Sequence, residues 1–163
     1  MKALLAGVLI ALLSLGVSAQ ADTLDDIRKA GKVRIAIDTA IPPFGMTDDK
    51  MQPTGSDVET AQLLAKDLGV ALEIVTTTGP TRIPMLQTNK VDLVVSTLSI
   101  TADRAKVIDF SIAYADHPSV VGALRGVTIS SYADLAGKKV AVVRGTTQDA
   151  DLTREAKGAL LVR

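Results

Sequence analysis

The stretch Val91-Asp92-Leu93-Val94-Val95-Ser96-Thr97-Leu98-Ser99-Ile100-Thr101 decides the fold. A short apolar run bounded by polar residues suits a strand buried on both faces of a parallel sheet. The hydroxyls that follow at once then lie at the strand's carboxyl end, where open α/β sheets place their ligands. Arg104 stands three residues past Thr101 and can return to the same turn. Hydroxyls, free backbone N–H groups and a planar guanidinium together suit a carboxylate. On spacing alone, Thr101 as an ordinary helix cap and Arg104 as a solvated charge explain the run equally well.

Upstream, helix and strand signals alternate. Thr23 with Asp25 and Asp26 reads as the start of a short helix that ends near Gly31, and residues 33–37 read as a strand. Residues 41–45, with Pro42 and Pro43, form a loop. Ser56-Asp57-Val58-Glu59 has the pattern of a capping box, and Val58, Ala61, Leu64, Ala65 and Leu68 fall on one helical face with Gly69 as terminator. A strand over 70–75 and a helix begun at Gly79-Pro80-Thr81 lead into the deciding run. Asp38 ends the first strand, so it too lies at a carboxyl edge; the loop from it to Phe44, with Thr81-Arg82, is a further candidate segment, although a turn-forming acid, a core phenylalanine and a surface charge explain these residues as well.

Downstream, Thr101 to Lys106 reads as a helical turn, and Ile108 and Phe110 as extended chain. After a polar break the pattern predicts a strand over 119–124, a short helix over 130–135, a strand over 139–143, a turn at Gly145-Thr146-Thr147, a helix over 149–157 and a last strand from Leu160. Such alternation predicts an α/β protein with parallel-rich sheets flanked by helices. The break near 111–118 is the expected hinge, which gives a first lobe over 22–112 and a truncated second lobe over 113–163. Gly145-Thr146-Thr147-Gln148 again puts hydroxyls and N–H groups at a helix start, although capping by Thr147 explains it as well. No phosphate-binding loop motif is present.

Composition narrows the function classes. The 163 residues carry 18 basic and 18 acidic side chains, so no net field points to nucleic acid as a partner. There is no cysteine, which excludes disulfides, thiolate nucleophiles and cysteine-based zinc sites. No metal or other cofactor is expected. The single histidine, His117, falls in the expected hinge and reads as a surface residue. Lys2, the apolar run 3–17 and Ala19-Gln20-Ala21 form the three-part pattern of a cleavable export signal over residues 1–21, too short for a membrane span.

Several motifs, in order, resemble the family 3 extracellular solute-binding proteins, the periplasmic polar amino-acid-binding proteins of ABC importers. They are Gly55-Ser56-Asp57-Val58-Glu59, Thr81-Arg82-Ile83-Pro84, the run 91–101 through Arg104 with Ile108-Asp109-Phe110-Ser111, Leu135-Ala136-Gly137-Lys138-Lys139-Val140, and Gly145-Thr146-Thr147. The resemblance implies a two-lobed periplasmic-binding-protein fold and a monomeric periplasmic carrier that delivers an amino acid to an inner-membrane permease. It also implies roles. Arg104 would clamp the ligand α-carboxylate, with Thr97, Ser99 and Thr147 as further donors and Ser96 accepting from the α-amino group. Asp38 matches a position that meets basic side chains in some relatives, and Arg82 one that meets acidic side chains in others. The two could instead pair with each other. Phe44 would line the pocket. Ser56, Ile41 and Gly79 replace aromatics that many relatives carry, so the side chain should be gripped loosely. Relatives continue beyond the equivalent of Arg163, and that part carries the acid that binds the ligand amino group. The alternatives are a dehydratase-type enzyme on the same fold, a sensory module, or a truncated fragment that binds nothing.

If residues 1–21 are an export signal, the protein recovered from the periplasm should begin at Asp22. N-terminal sequencing reads this directly, and a retained Met1 contradicts it.

Overall fold

The computed structural model describes residues 23–163; the export-signal reading of residues 1–21 lies outside them. Helix α1 (Thr23–Ala30) leads into strand β1 (Lys32–Ile37). A short antiparallel pair, β2 (Met46–Thr47) and β3 (Pro53–Thr54), precedes helix α2 (Ser56–Leu68), strand β4 (Ala71–Thr76), helix α3 (Arg82–Gln87) and strand β5 (Leu93–Val94). Strand β1 is the centre of a parallel sheet ordered β4-β1-β5, with Ile35 opposite Ile74 on one side and Leu93 on the other. Val33, Ile35, Ala36 and Ile37 have no solvent exposure, so β1 is covered on both faces. Ile27 of α1, Val58, Ala61 and Ala65 of α2, and Val95 complete this core.

The run 91–95 is paired as a strand only at Leu93 and Val94, but its hydrogen bonding with β1 extends further. Asp92 N–H donates to the Arg34 carbonyl at 2.9 Å and Val95 N–H to the Ala36 carbonyl at 3.1 Å. The acid inside this apolar run also has a structural cause. Asp92 accepts the Arg34 backbone N–H at 2.8 Å and the guanidinium at 2.6 and 3.2 Å, a two-pronged clamp that fixes β5 against β1.

The expected capping box at Ser56 does not form. Gly55 precedes the helix, and no side chain caps it. The Ser56 and Asp57 N–H groups donate instead to the Pro43 and Phe44 carbonyls, at 3.4 and 2.8 Å. The loop after β1 therefore satisfies the orphan donors of α2. This close approach requires Gly55, whose φ is +112° and where a Cβ would sit 2.7 Å from the Pro43 oxygen. A capping box is present elsewhere, between Ser131 and Asp134. Gly69 ends α2 in the left-handed conformation, as expected. Leu64 lies at the margin of the inner face rather than in the core.

Beyond β5 come a 3₁₀ turn (Arg104–Lys106) and a second one (Tyr132–Leu135), then β6 (Lys139–Ala141), α4 (Thr147–Glu155) and β7 (Leu160–Val162). Strands β6 and β7 pair in parallel, Val140 opposite Leu161, over a second core of Leu135, Leu152 and Ala156. Helix α4 starts two residues before the expected Asp149 because Thr146 caps it, accepting the Asp149 N–H at 3.2 Å. The expected strand over 119–124 is absent, as is regular extended structure at Ile108 and Phe110. Val120 and Leu124 are more than 80% exposed. Among the described residues no strand pairs with this segment, and an apolar sequence without ladder partners does not make a strand.

Burial works against the ionised form of Asp92, but the Arg34 hydrogen bonds and charge outweigh it and hold the carboxyl below its usual range. A depressed pKa contributes stability above the unfolded value near 4, which is lost as pH falls through the folded value. Asp92→Asn is expected to cost about 2 kcal/mol at pH 7. Urea denaturation of both proteins should show that gap closing at pH 3 and below.

Candidate functional site

A cavity of about 250 Å³ opens where the first unit, the connecting segment and the second unit meet. The first unit supplies Ile41, Phe44, Gly79, Arg82, Thr97 and Ser99. The connector supplies His117 and Pro118, and the second unit Val143, Thr146, Thr147 and Gln148. A larger groove of about 450 Å³ lies by α1, α2 and β5. Its wall is mostly leucine and isoleucine with Asp67 as its one charge, so it offers little to hold a polar ligand.

Backbone geometry sets the first wall. The Ile41 and Gly45 backbones exchange two hydrogen bonds of 3.0 Å, and this tight turn presents Phe44. Thr97 has φ +46°, the left-handed region that a β-branched residue rarely occupies. Its N–H donates to the buried Asp57 carboxylate, which also accepts from the Tyr114 hydroxyl. Burial nevertheless pushes the Asp57 carboxyl up, and burial together with Asp57 pushes the Tyr114 hydroxyl to about 12. Asp57 thus ties the start of α2 to the turn after β5 and to the connector.

Arg82 is 3% exposed. Its Nη1 donates to the Ser96 carbonyl at 2.6 Å, while its buried Nε has no partner. Burial lowers its pKa and so does the Arg104 charge; Asp38 opposes both. Asp38 and Ser96 lie behind the wall, 6% and 1% exposed. Ser96 Oγ accepts the Asp38 N–H at 3.0 Å, and Asp38 Oδ1 accepts the Ala40 N–H at 3.1 Å. Asp38 and Arg82 therefore influence one another electrostatically, but no salt bridge joins them.

Arg104 links the two units. Its backbone N–H donates to Thr101 Oγ1 at 3.2 Å, so Thr101 caps this turn. Its Nη1 donates to the Ser99 carbonyl at 2.8 Å and its Nη2 to the Gly145 carbonyl at 3.0 Å. Burial lowers its pKa. Gly145 has φ +75°, and a Cβ there would lie 3.4 Å from Pro80 Cα. Thr147 opens α4 and faces the cavity, with its hydroxyl donating to Gln148 Oε1 at 3.3 Å.

Of the residues expected from the sequence, Phe44, Arg82, Thr97 and Ser99 from the first unit and Thr147 from the second line one cavity, whereas Asp38, Ser96 and Arg104 are not among its lining residues. The sequence reading missed His117, Pro118 and Gln148. Gln148 directly follows the Gly-Thr-Thr turn and could have been included. Nothing in the spacing marks His117, whose ring centroid lies 6.4 Å from that of Phe44, tilted by 53°.

A cleft walled by two α/β units, with hydroxyls on both sides and the Arg82 guanidinium on the first, defines a two-lobed ligand-binding protein. Residues 33–160 match the model for "Bacterial extracellular solute-binding proteins, family 3", and the chain belongs to that family. It is 34% identical over 118 residues to the L-arginine-binding protein of Pseudomonas aeruginosa, covering 72% of this chain and 46% of that one. It is 31% identical over 156 residues to the L-cystine-binding protein TcyJ of Escherichia coli, covering 94% of this chain and 59% of the relative. Among solved structures it resembles an ancestral amino acid-binding protein described as a precursor of cyclohexadienyl dehydratase. The TM-score is 0.80 at 39% identity, over 86% of this chain and 64% of the other. The fold is that of the two-lobed periplasmic binding proteins, and this chain spans about half the length of the curated relatives it matches.

Glycine at position 97 removes the left-handed strain of a β-branched residue, roughly 1–2 kcal/mol, but adds unfolded-chain entropy of about 1 kcal/mol. Thr97→Gly is therefore expected to keep or slightly raise stability in urea denaturation while weakening ligand binding, because a hydroxyl and a fixed turn are lost. A large destabilisation contradicts the strain assignment.

Proposed function

We propose that this chain binds an amino acid in the inter-lobe cleft through the ligand's α-carboxylate and α-amino groups, as the solute-binding component of an ABC importer. One observation carries the reading. Arg104 donates to two carbonyls, one on each side of the cleft, and no acid pairs with it among the described residues. A ligand carboxylate supplies the missing anion, and a guanidinium fork suits it geometrically. Thr97 and Ser99 on the first unit and Thr147 on the second line the same cavity as further donors. Phe44 closes the apolar side. Ser96 and Asp38, both buried, act from behind the wall by holding Arg82 and the end of β1.

The proposed division places the first lobe at 22–112 and the connector with the start of the second lobe at 113–163. Closure of the lobes would present both surfaces to a permease. The protein works in the periplasm as a monomer and hands its ligand over unchanged. The named precursor of a dehydratase is itself described as an amino acid-binding protein, which supports binding without turnover.

Arg104→Ala tests this. Titration calorimetry of each of the twenty amino acids against the wild type should find at least one ligand. Truncating one member of a charged, hydrogen-bonded pair costs about 2–5 kcal/mol, so affinity should fall at least 30-fold. Unchanged affinity overturns the carboxylate clamp.

A further inference from the structure

The turn that opens α4 is held from outside the cavity by Asp149. This residue does not line the cavity, and its side chain is 14% exposed. Its Oδ2 accepts the Gly145 N–H at 3.1 Å, and its own N–H donates to Thr146 Oγ1 at 3.2 Å. The Thr146 hydroxyl donates onward to the Val143 carbonyl at 2.7 Å. A glycine leaves the peptides on either side of it free to rotate, so contacts of this kind set the direction of the Gly145 carbonyl. That carbonyl accepts from Arg104 Nη2 of the first unit.

Asp149 is itself fixed. Its Oδ1 accepts from Arg163 Nε at 2.6 Å. Arg163 Nη2 donates to Thr153 Oγ1 at 2.7 Å, and that hydroxyl donates to the Asp149 carbonyl at 2.7 Å. This closed ring of contacts holds the carboxylate at one angle over the turn. Desolvation works against its ionised form, but the Arg163 and Gly145 hydrogen bonds and the Arg163 and Arg144 charges hold the carboxyl below its usual range. At neutral pH both its oxygens are therefore acceptors.

We infer that Asp149 is a positioning residue for the ligand grip: from outside the cavity it sets the Gly145 peptide that meets Arg104, and so aligns the two walls of the cleft. This rests on the amino-acid reading of the cleft. The contacts run from Arg163 through Asp149 and Gly145 to Arg104, so a change in the second unit reaches the guanidinium proposed to hold the carboxylate. An asparagine at 149 breaks the series. Arg163 claims its amide oxygen, which turns the NH2 group toward the Gly145 N–H, donor against donor. A glutamate keeps two acceptor oxygens.

The test is NMR of the labelled full chain at about pH 6, where Asp149 is ionised, for the wild type, Asp149→Asn and Asp149→Glu, with calorimetry of each against the twenty amino acids. In Asp149→Asn the Gly145 amide should exchange with solvent about 10-fold faster, and the Arg104 Nε–Hε signal, across the cleft, should move. Affinity for the amino acid that the wild type binds most tightly should fall about 5-fold or more, and Asp149→Glu should recover most of it. An Arg104 signal unmoved by Asp149→Asn overturns the inference, as does faster exchange spread along the whole of α4, which loss of a plain helix cap would give. A moved Arg104 signal with unchanged affinity overturns the role in binding. If the wild type binds none of the twenty, the amino-acid reading fails, while the Arg104 signal still decides whether Asp149 sets the contact between the units.

Discussion

Everything in the first lobe hangs on β1. Its four buried aliphatic positions are sealed on both faces, and its two edges pair with β4 and β5. A strand in this position cannot slip by one residue without turning its side chains to the wrong face. The Asp92–Arg34 clamp fixes β5 to it at a defined register. Once β1 and β5 are locked, their carboxyl ends are locked too, and the two turns that leave them, at 38–45 and 96–101, become the first wall of the cleft.

Those turns are held by polar contacts rather than by regular structure. The loop after β1 is bound by the N–H groups opening α2, and the turn after β5 is bound by Asp57. Thr97 sits there in a strained conformation that the surroundings impose. From this rigid edge Arg104 reaches across to the second unit. One contact joining the lobes is thus made by the residue proposed to grip the ligand, so occupancy and lobe arrangement share a guanidinium.

Much of this was legible in the sequence where periodicity and turn chemistry agree. The apolar run 91–95, the α2 face with Gly69 behind it, and the hydroxyls after β5 were read from short-range pattern, and Phe44, Arg82, Thr97, Ser99 and Thr147 do line one cavity. What failed needed tertiary information. The Ser56 box was displaced by carbonyls from a loop thirteen residues upstream in sequence. Residues 119–124 have strand composition but no partner among the described residues. His117 reaches the cavity because of how the connector crosses, which no local pattern encodes. The reason for an acid at position 92 inside an apolar strand is its partner Arg34, 58 residues away.

The central claim is that an amino acid sits between the two units, touching both. Amide chemical-shift mapping by NMR, with a mixture of the twenty amino acids titrated into the labelled protein, tests it most directly. The account predicts saturable shifts appearing together at Thr97 and Ser99 on one side and at Thr147 on the other. Shifts confined to the groove by Ile27 and Leu64, shifts on one unit alone, or no shifts at all would contradict it.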